Sequence, residues 1–600
     1  MLHLQTFIFD LLTTIWVAIL LVILFFWLPS LIFVLPNTIP WVNRIVAVWT
    51  RMLLVTLIGV KFLSALHLFS WLTLVILYGG CFLLSWLHRH SWRVKQQYNL
   101  IFQGIAFTVL DALDQGFLPK ISQALDGMGQ IAKKQFLNIQ KVIAIAITQN
   151  IQDVLILTVI LTFAVLLRFE YPWQELRFTN PDSYSLLLTT RQILAGDVNA
   201  QMQSFPAFSA LAAVLSLLGA MDAMQVIRFL SPLLGCLLVL SVGYSMGVIT
   251  NSRIAVMGAM YSLGAYIFTS HIEIPQFVPN WIQQWLNTVT GSLNTSLIHQ
   301  WAGGDLEIGV ICLVLGLGRA WEASRTQHRR IALIDAVCCL IIVAIIQPQL
   351  LILALCGGIS FIGGGRFALT VVTIIWIVLA LALALPENPW GSANTFLVTL
   401  PVGLSWLWGL FLTLTSWLLS LILGVWSEIV SLILMLAIAI NFLLPLPPKI
   451  SYLEYDMAAR KTLELRVRFP LKRWVIVAPI EQLAESYGAG WYEDMGLFVE
   501  KYSSLVSKPN FHFRYSVPHL FIFVEKRPLV TGLRASQSLP YSVLSDPTYL
   551  YYRSSAGRAS LEFTTLQMCE TYRRLHEQDV AIYYEDQDLR IYQVRLPEEL

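Results

Sequence analysis

Charge is what this chain has least of: 12% of its 600 residues are Asp, Glu, Lys or Arg, against 57% hydrophobic. Soluble globular domains carry about twice that charged share, roughly 25%. A water-soluble fold of this length cannot hide so much apolar side chain in cores, so lipid must act as part of its solvent. The formal net charge of +3 is small for the length, which gives no support for a nucleic-acid partner. Cysteine is sparse too. Of the seven, Cys81, Cys236, Cys312, Cys338, Cys339 and Cys356 fall in apolar stretches, and Cys569 stands alone near the C-terminus. No Cys-x-x-Cys pair occurs, and the ten histidines form no zinc-like spacing with the cysteines. These thiols read as small buried hydrophobes. The apolar run 7–35 is too long for a cleavable signal, carries Asp10 and lacks a basic lead-in, so it is expected to be a retained anchor.

What is present falls into three regions. Residues 1–150 hold the first anchor, a second apolar stretch over 45–87, a basic cluster from His88 to Lys95, and a mixed segment over 98–149. That last segment is too polar to span and is expected to form amphipathic helices at the interface or a soluble hairpin. Residues 151–448 are a multi-span membrane body, with apolar runs at 154–167, 226–249, 254–268, 308–317, 331–346, 350–362, 367–385, 396–423 and 429–444. Several are shorter than the roughly 20 residues a straight span needs, so they must extend into their flanks. The run 205–220 reads either as a span or as a re-entrant helix.

Basic loops set the orientation. Arg319, Arg325, Arg329 and Arg330 surround one loop and the His88–Lys95 cluster marks another, so both are expected on the cytoplasmic side. Walking back along the runs places 168–197 on the outer side, provided 205–220 does not cross.

After Pro447-Pro448-Lys449 the composition shifts to charged, β-branched and aromatic residues, a domain boundary. Residues 449–600 read as a soluble α+β domain, with strands at 462–469, 474–478, 520–525, 580–584 and 589–594 and helices at 480–487 and 565–577. The fold class is thus an all-α polytopic membrane bundle with a C-terminal soluble α+β domain.

Carboxylates at span ends are the first functional candidates, because charge at membrane depth is costly. Asp182 sits in Asn180-Pro181-Asp182-Ser183-Tyr184, just after the run 154–167. Locally, Asn-Pro-Asp-Ser is also an ordinary helix N-cap. The segment that follows, through Arg191 and Leu194 to Gly196, reads as a short amphipathic helix closed by glycine. An apolar span leading to Asp-x-Tyr and then Arg-x-x-Leu-x-Gly resembles the first external loop of the C-type (GT-C) membrane glycosyltransferases. That superfamily takes in protein O-mannosyltransferases, aminoarabinose lipid A transferases and oligosaccharyltransferase catalytic subunits. The resemblance continues through Gln225-Val226-Ile227-Arg228, Asn251-Ser252-Arg253, Gly304-Asp305-Leu306-Glu307 and Gln347-Pro348-Gln349, and covers residues 151–362. The first loop lacks an Asp-x-Asp or Asp-Glu pair, and Gln347 stands where the family usually has lysine.

The resemblance implies a GT-C-like bundle that transfers a sugar from a polyprenyl-phosphate donor at the outer membrane face, among membrane lipids. It assigns Asp182 as general base to the acceptor. A departing lipid phosphate calls for positive charge, from Arg191 and Arg228 or from a divalent cation such as Mg²⁺ or Mn²⁺. Asp305, Glu307 or Glu273 would orient the acceptor or such a cation. His271, His299, Trp281, Trp285 and Trp301 flank the second outer loop, where an aromatic belt is the simpler expectation. A non-catalytic scaffold or assembly protein on the same fold is the alternative.

Overall fold

A computed structural model describes residues 2–33, 35–36, 38–85, 151–178, 181–196, 206–266, 279, 297, 300–301, 303–325, 328–360, 365–383, 396, 399–423, 454–479, 481–529 and 555–596. The expectations for 98–149, for the run 429–444, and for Glu273, His271, His299, Trp281 and Trp285 lie outside the described residues.

The chain is mostly helical. Among the described residues, five helices are long and apolar enough to cross a membrane: Phe7–Ile32, Trp41–Ala65, Asp153–Gln174, Ala223–Thr250 and Leu400–Ser420. In chain order the membrane body comprises α1 (Leu2–Val22), continuing through a π-helical turn (Ile23–Trp27) into α2 (Leu28–Ile32), then α3 (Trp41–Ala65) and α4 (Trp71–Ser85). There follow α5 (Ile151–Gln174), α6 (Pro181–Ala195), α7 (Ala207–Gly219), α8 (Ala223–Thr250), α9 (Arg253–Gly264), α10 (Asp305–Ala323) and α11 (Arg329–Ile346). The described body ends with α12 (Leu351–Ser360), α13 (Gly365–Leu383) and α14 (Leu400–Leu423).

The ambiguous run 205–220 is α7, a helix of 13 residues. At 1.5 Å per residue it reaches only about 20 Å, short of the roughly 30 Å hydrocarbon core. Its flanks explain where it stops: Pro206 precedes it, and Ala220 turns the chain left-handed at φ 50°. Helices approach closely where side chains are small, as membrane packing without a strong hydrophobic drive requires. A Cβ on Gly409 of α14 would lie 2.5 Å from the Ala255 carbonyl of α9, so only glycine allows that crossing.

The C-terminal part comprises α15 (Asp456–Arg468), β1 (Trp474–Ala478), α16 (Glu481–Ser486), β2 (Trp491–Asp494), α17 (Met495–Tyr502), β3 (His519–Glu525), α18 (Ser555–Leu575), β4 (Val580–Glu585) and β5 (Leu589–Arg595). The strands form one mixed sheet in the order β2-β1-β3-β5-β4. β1 pairs parallel with β2 and β3, while β5 pairs antiparallel with β3 and β4. One face packs on Phe498, Tyr502 and Tyr572, the other on Ala458 and Leu465 of α15.

The expected strand at 462–469 is instead the second half of α15. Its alternation of apolar and charged residues suggests a strand, but Asp456–Arg460 and Glu464–Arg468 pair at helical spacing. The buried set Ala458, Ala459, Thr462 and Leu465 follows the same period.

Candidate functional site

The two short helices α6 and α7 lie between the spanning helices α5 and α8. The N-terminus of α8 marks their end of the bundle, because Asp222 caps it by accepting the Met224 N–H at 2.9 Å. The opposite end of α8 carries the Asn251-Ser252-Arg253 turn, so the Arg319–Arg330 loop and α6 lie at opposite ends: α10 begins at Asp305 beside α7 and runs down to Arg319.

Of the residues singled out in the sequence, Asp182, Arg191, Arg228, Trp301, Asp305 and Glu307 lie in described elements. Asp182 is the second residue of α6; its side chain lies outside the described ones. Arg191, 3% exposed, points out of α6 and donates to Asp222 Oδ1 at 3.0 Å, to the Ala484 carbonyl at 2.6 Å and to the Glu485 carbonyl. Its partners therefore come from both the membrane body and the C-terminal domain. Arg228 is buried against Asp10 of α1, donates to the Pro172 carbonyl at 2.6 Å and lies over the Phe229 ring at 4.7 Å. Asp305 accepts the Phe208 N–H at 2.6 Å, which places its carboxylate at the positive end of α7. Glu307 is buried, and the glycine before it is constrained: a Cβ on Gly304 would meet its Oε2 at 3.1 Å. At neighbouring Gly303, φ is +74° and a Cβ would clash with Ser231 Oγ at 2.0 Å.

Asp305 therefore serves backbone N–H groups at the N-terminus of α7. Trp301 donates to the Leu167 carbonyl at 3.0 Å and stacks on Tyr171, so it fastens α5.

Around Arg191 the structure assembles groups that no local motif announces. Tyr184 of α6 donates to Glu454, whose other oxygen accepts from Gln482 at 2.6 Å. Burial, then the charge of Glu485, pushes the Glu454 carboxyl well above the usual range. Burial likewise pushes Glu485 up to about 7, against the pull of Arg191. Burial raises Asp222 as well, but Arg191 and Arg466 outweigh it and hold its carboxyl below the usual range. Arg466 of α15 joins from the domain side, 3.4 Å from Asp222 and donating to the Glu485 and Tyr487 carbonyls at 2.9 Å each. Burial and the neighbouring Arg191 bring it down to about 10. The result is a polar seam that fixes the C-terminal domain onto α6 and α8.

Arg168 is a further buried group that motif reading passed over. Fully buried in α5, it donates to the carbonyls of Leu263 and Gly264 at 3.0 and 2.9 Å. It thereby caps the C-terminus of α9, where the helix dipole favours a cation.

The chain matches no protein-family model and no curated protein.

Proposed function

We propose that this chain is an integral membrane glycosyltransferase of the GT-C kind, transferring a sugar from a polyprenyl-phosphate donor at the outer membrane face. The observation that carries the reading is the pair α6–α7, two helices too short to span, set between two spanning helices. The resemblance requires a structured outer loop in that place, opening with its catalytic carboxylate, and Asp182 stands in the first turn of α6. The Arg319–Arg330 loop lies at the other end, so the positive-inside rule puts α6, α7 and the C-terminal domain outside.

In this reading Asp182 takes the proton of the acceptor nucleophile as that atom bonds to the sugar's anomeric carbon. The bond from that carbon to the phosphate oxygen breaks, and the lipid phosphate leaves with the electron pair. Inversion follows from a single displacement. Arg191 and Arg228 meet the departing phosphate only by exchanging Asp222 and Asp10 for it. No step is routed through a metal ion.

The scaffold reading keeps one specific observation in its favour: Arg191, Arg228 and Asp305 all have internal partners and all tie structural elements together. Asp182→Asn separates the two. It preserves size while removing the basic oxygen. Under the glycosyltransferase reading, transfer falls by roughly 10²–10⁴-fold at unchanged protein level. The measurement is glycosylated product, together with unused lipid-linked donor, in cells carrying each form. Equal product from wild type and Asp182→Asn would leave the scaffold reading in place.

A further inference from the structure

At the far side of the C-terminal domain, α18 ends at Leu575 and the chain turns through His576 and Asp579 into edge strand β4. The loop between α17 and β3 brings His512 to the same place. One ligand atom from each of His512, His576 and Asp579 lies within 4.8 Å of the other two. These residues are distant in sequence, so their meeting is a product of the fold.

The setting of His576 gives the cluster its chemical sense. Its Nε2 is buried and has no hydrogen-bond partner among the described residues. Its hydrogen bond to the Phe511 backbone must then come from Nδ1. The ring is also fixed in place, stacked on Tyr572 with centroids 4.4 Å apart and lying 4.7 Å from the His512 ring. A histidine held by one nitrogen on a backbone carbonyl, with the other nitrogen bare, is how metal-bound imidazoles are oriented. The backbone of Asp579 is anchored too: its N–H donates to the His576 carbonyl at 3.1 Å, and its carbonyl accepts from Arg595 at 2.9 Å.

We propose that His512, His576 and Asp579 bind a divalent transition-metal ion of the zinc class in a two-histidine, one-carboxylate site. Two imidazoles select against Mg²⁺ and Ca²⁺, which prefer oxygen. Ligand bonds of about 2.0–2.1 Å require ligand atoms roughly 3.3 Å apart, so separations of up to 4.8 Å must close by up to about 1.5 Å. His512, exposed on its loop, is the member able to make that movement. Three protein ligands leave a fourth position for water or a small anionic ligand. The ion would join the α17–β3 loop, the end of α18 and the start of β4, so binding stabilises this corner of the domain. Nothing in the proposal depends on the glycosyltransferase reading.

The test uses the full-length chain, purified in detergent with any affinity tag removed and stripped of metal. Zn²⁺ is titrated by calorimetry, and Co²⁺ by its visible absorption. The expected result is one equivalent bound and a Zn²⁺-dependent rise in the melting temperature. His512→Ala and Asp579→Asn should each weaken binding by about tenfold or more and abolish the rise, with the metal-free melting temperature unchanged for His512→Ala. Should Asp579→Asn disturb the turn, His512→Ala decides alone, because His512 is exposed. Zn²⁺ affinity equal in wild type and His512→Ala, or no Zn²⁺-dependent stabilisation of the wild type, overturns the proposal.

Discussion

Arg319 and Arg191 are both buried cations, 1% and 3% exposed, at opposite ends of the bundle, and they are neutralised in different ways. Arg319 lies between Glu322 of its own helix and Asp335 of α11. Arg51 reaches Asp335 from α3 at 2.8 Å, and Asn43 of α3 donates to Glu322. All these partners are side chains of the membrane body. Arg191 instead divides its donors between one carboxylate of the body, Asp222, and two backbone carbonyls of the C-terminal domain. The first cluster is a closed charge network that locks three helices. The second is a joint between two parts, and the carboxyls beside it, Glu454 and Glu485, are poised to be neutral. Charge that closes on itself marks a rigid core, whereas charge shared across a boundary marks where the molecule can loosen.

The largest expected effect breaks the closed network. Arg319→Met leaves Asp335 and Glu322 with fewer cations in a buried site, and removing one partner of such a pair costs about 3–5 kcal/mol. Detergent-solubilised protein should show a collapse in yield and melting temperature. Wild-type stability would mean that water already reaches the cluster and that the two ends do not differ as argued.

The next effect is smaller and depends on pH. The folded Glu485 carboxyl sits at about 7, above its unfolded value of 4.5, so the folded state holds the proton longer. The stability this contributes is fully present below pH ~4.5 and is lost as pH rises towards 7. Cleavage between body and domain by added protease should therefore speed up over that interval. Glu485→Gln, which mimics the protonated form, should flatten the profile, while the Arg319 end stays indifferent. A profile unchanged by the substitution would remove Glu485 from the joint.

How much of this was readable in advance follows from the range of the interactions. Hydropathy is local, so the described apolar helices fall where the sequence places them, and every described strand lies after Pro447-Pro448. The strands β1, β3, β4 and β5 stand close to their expected positions. β2 was missed because Trp491–Asp494 is a four-residue edge strand with an exposed start. Residues 462–469 read as a strand because Leu463, Leu465 and Val467 alternate with charges; Val467 is in fact 90% exposed, and helical ion pairs decide the matter. The seam was invisible, since Arg191 and Glu485 are separated by 294 positions and no spacing rule reaches that far. The His512, His576 and Asp579 cluster was hidden for the same reason. The resemblance points to Arg191 and Arg228 as phosphate ligands; of their internal partners, Asp10 stands out in the sequence only as a charge within an anchor, and Asp222 does not stand out at all.

The smallest expected effect supplies the baseline against which both ends are measured. Arg253 and Asp153 form an ion pair at 3.4 Å near the turn between α8 and α9, with side chains 71% and 35% exposed. Solvent screens such a pair, and holding two long side chains in one geometry costs entropy, so pairs of this type contribute about 0.2–1 kcal/mol. Arg253→Ala should shift the melting temperature little, and raising the salt concentration should shrink even that difference. The same salt change should leave the Arg319 network untouched, because buried pairs are weakly screened. If Arg253→Ala destabilised the protein as strongly as Arg319→Met, burial would not be what separates strong charge pairs from weak ones here. The contrast between the closed network and the joint would then need another cause.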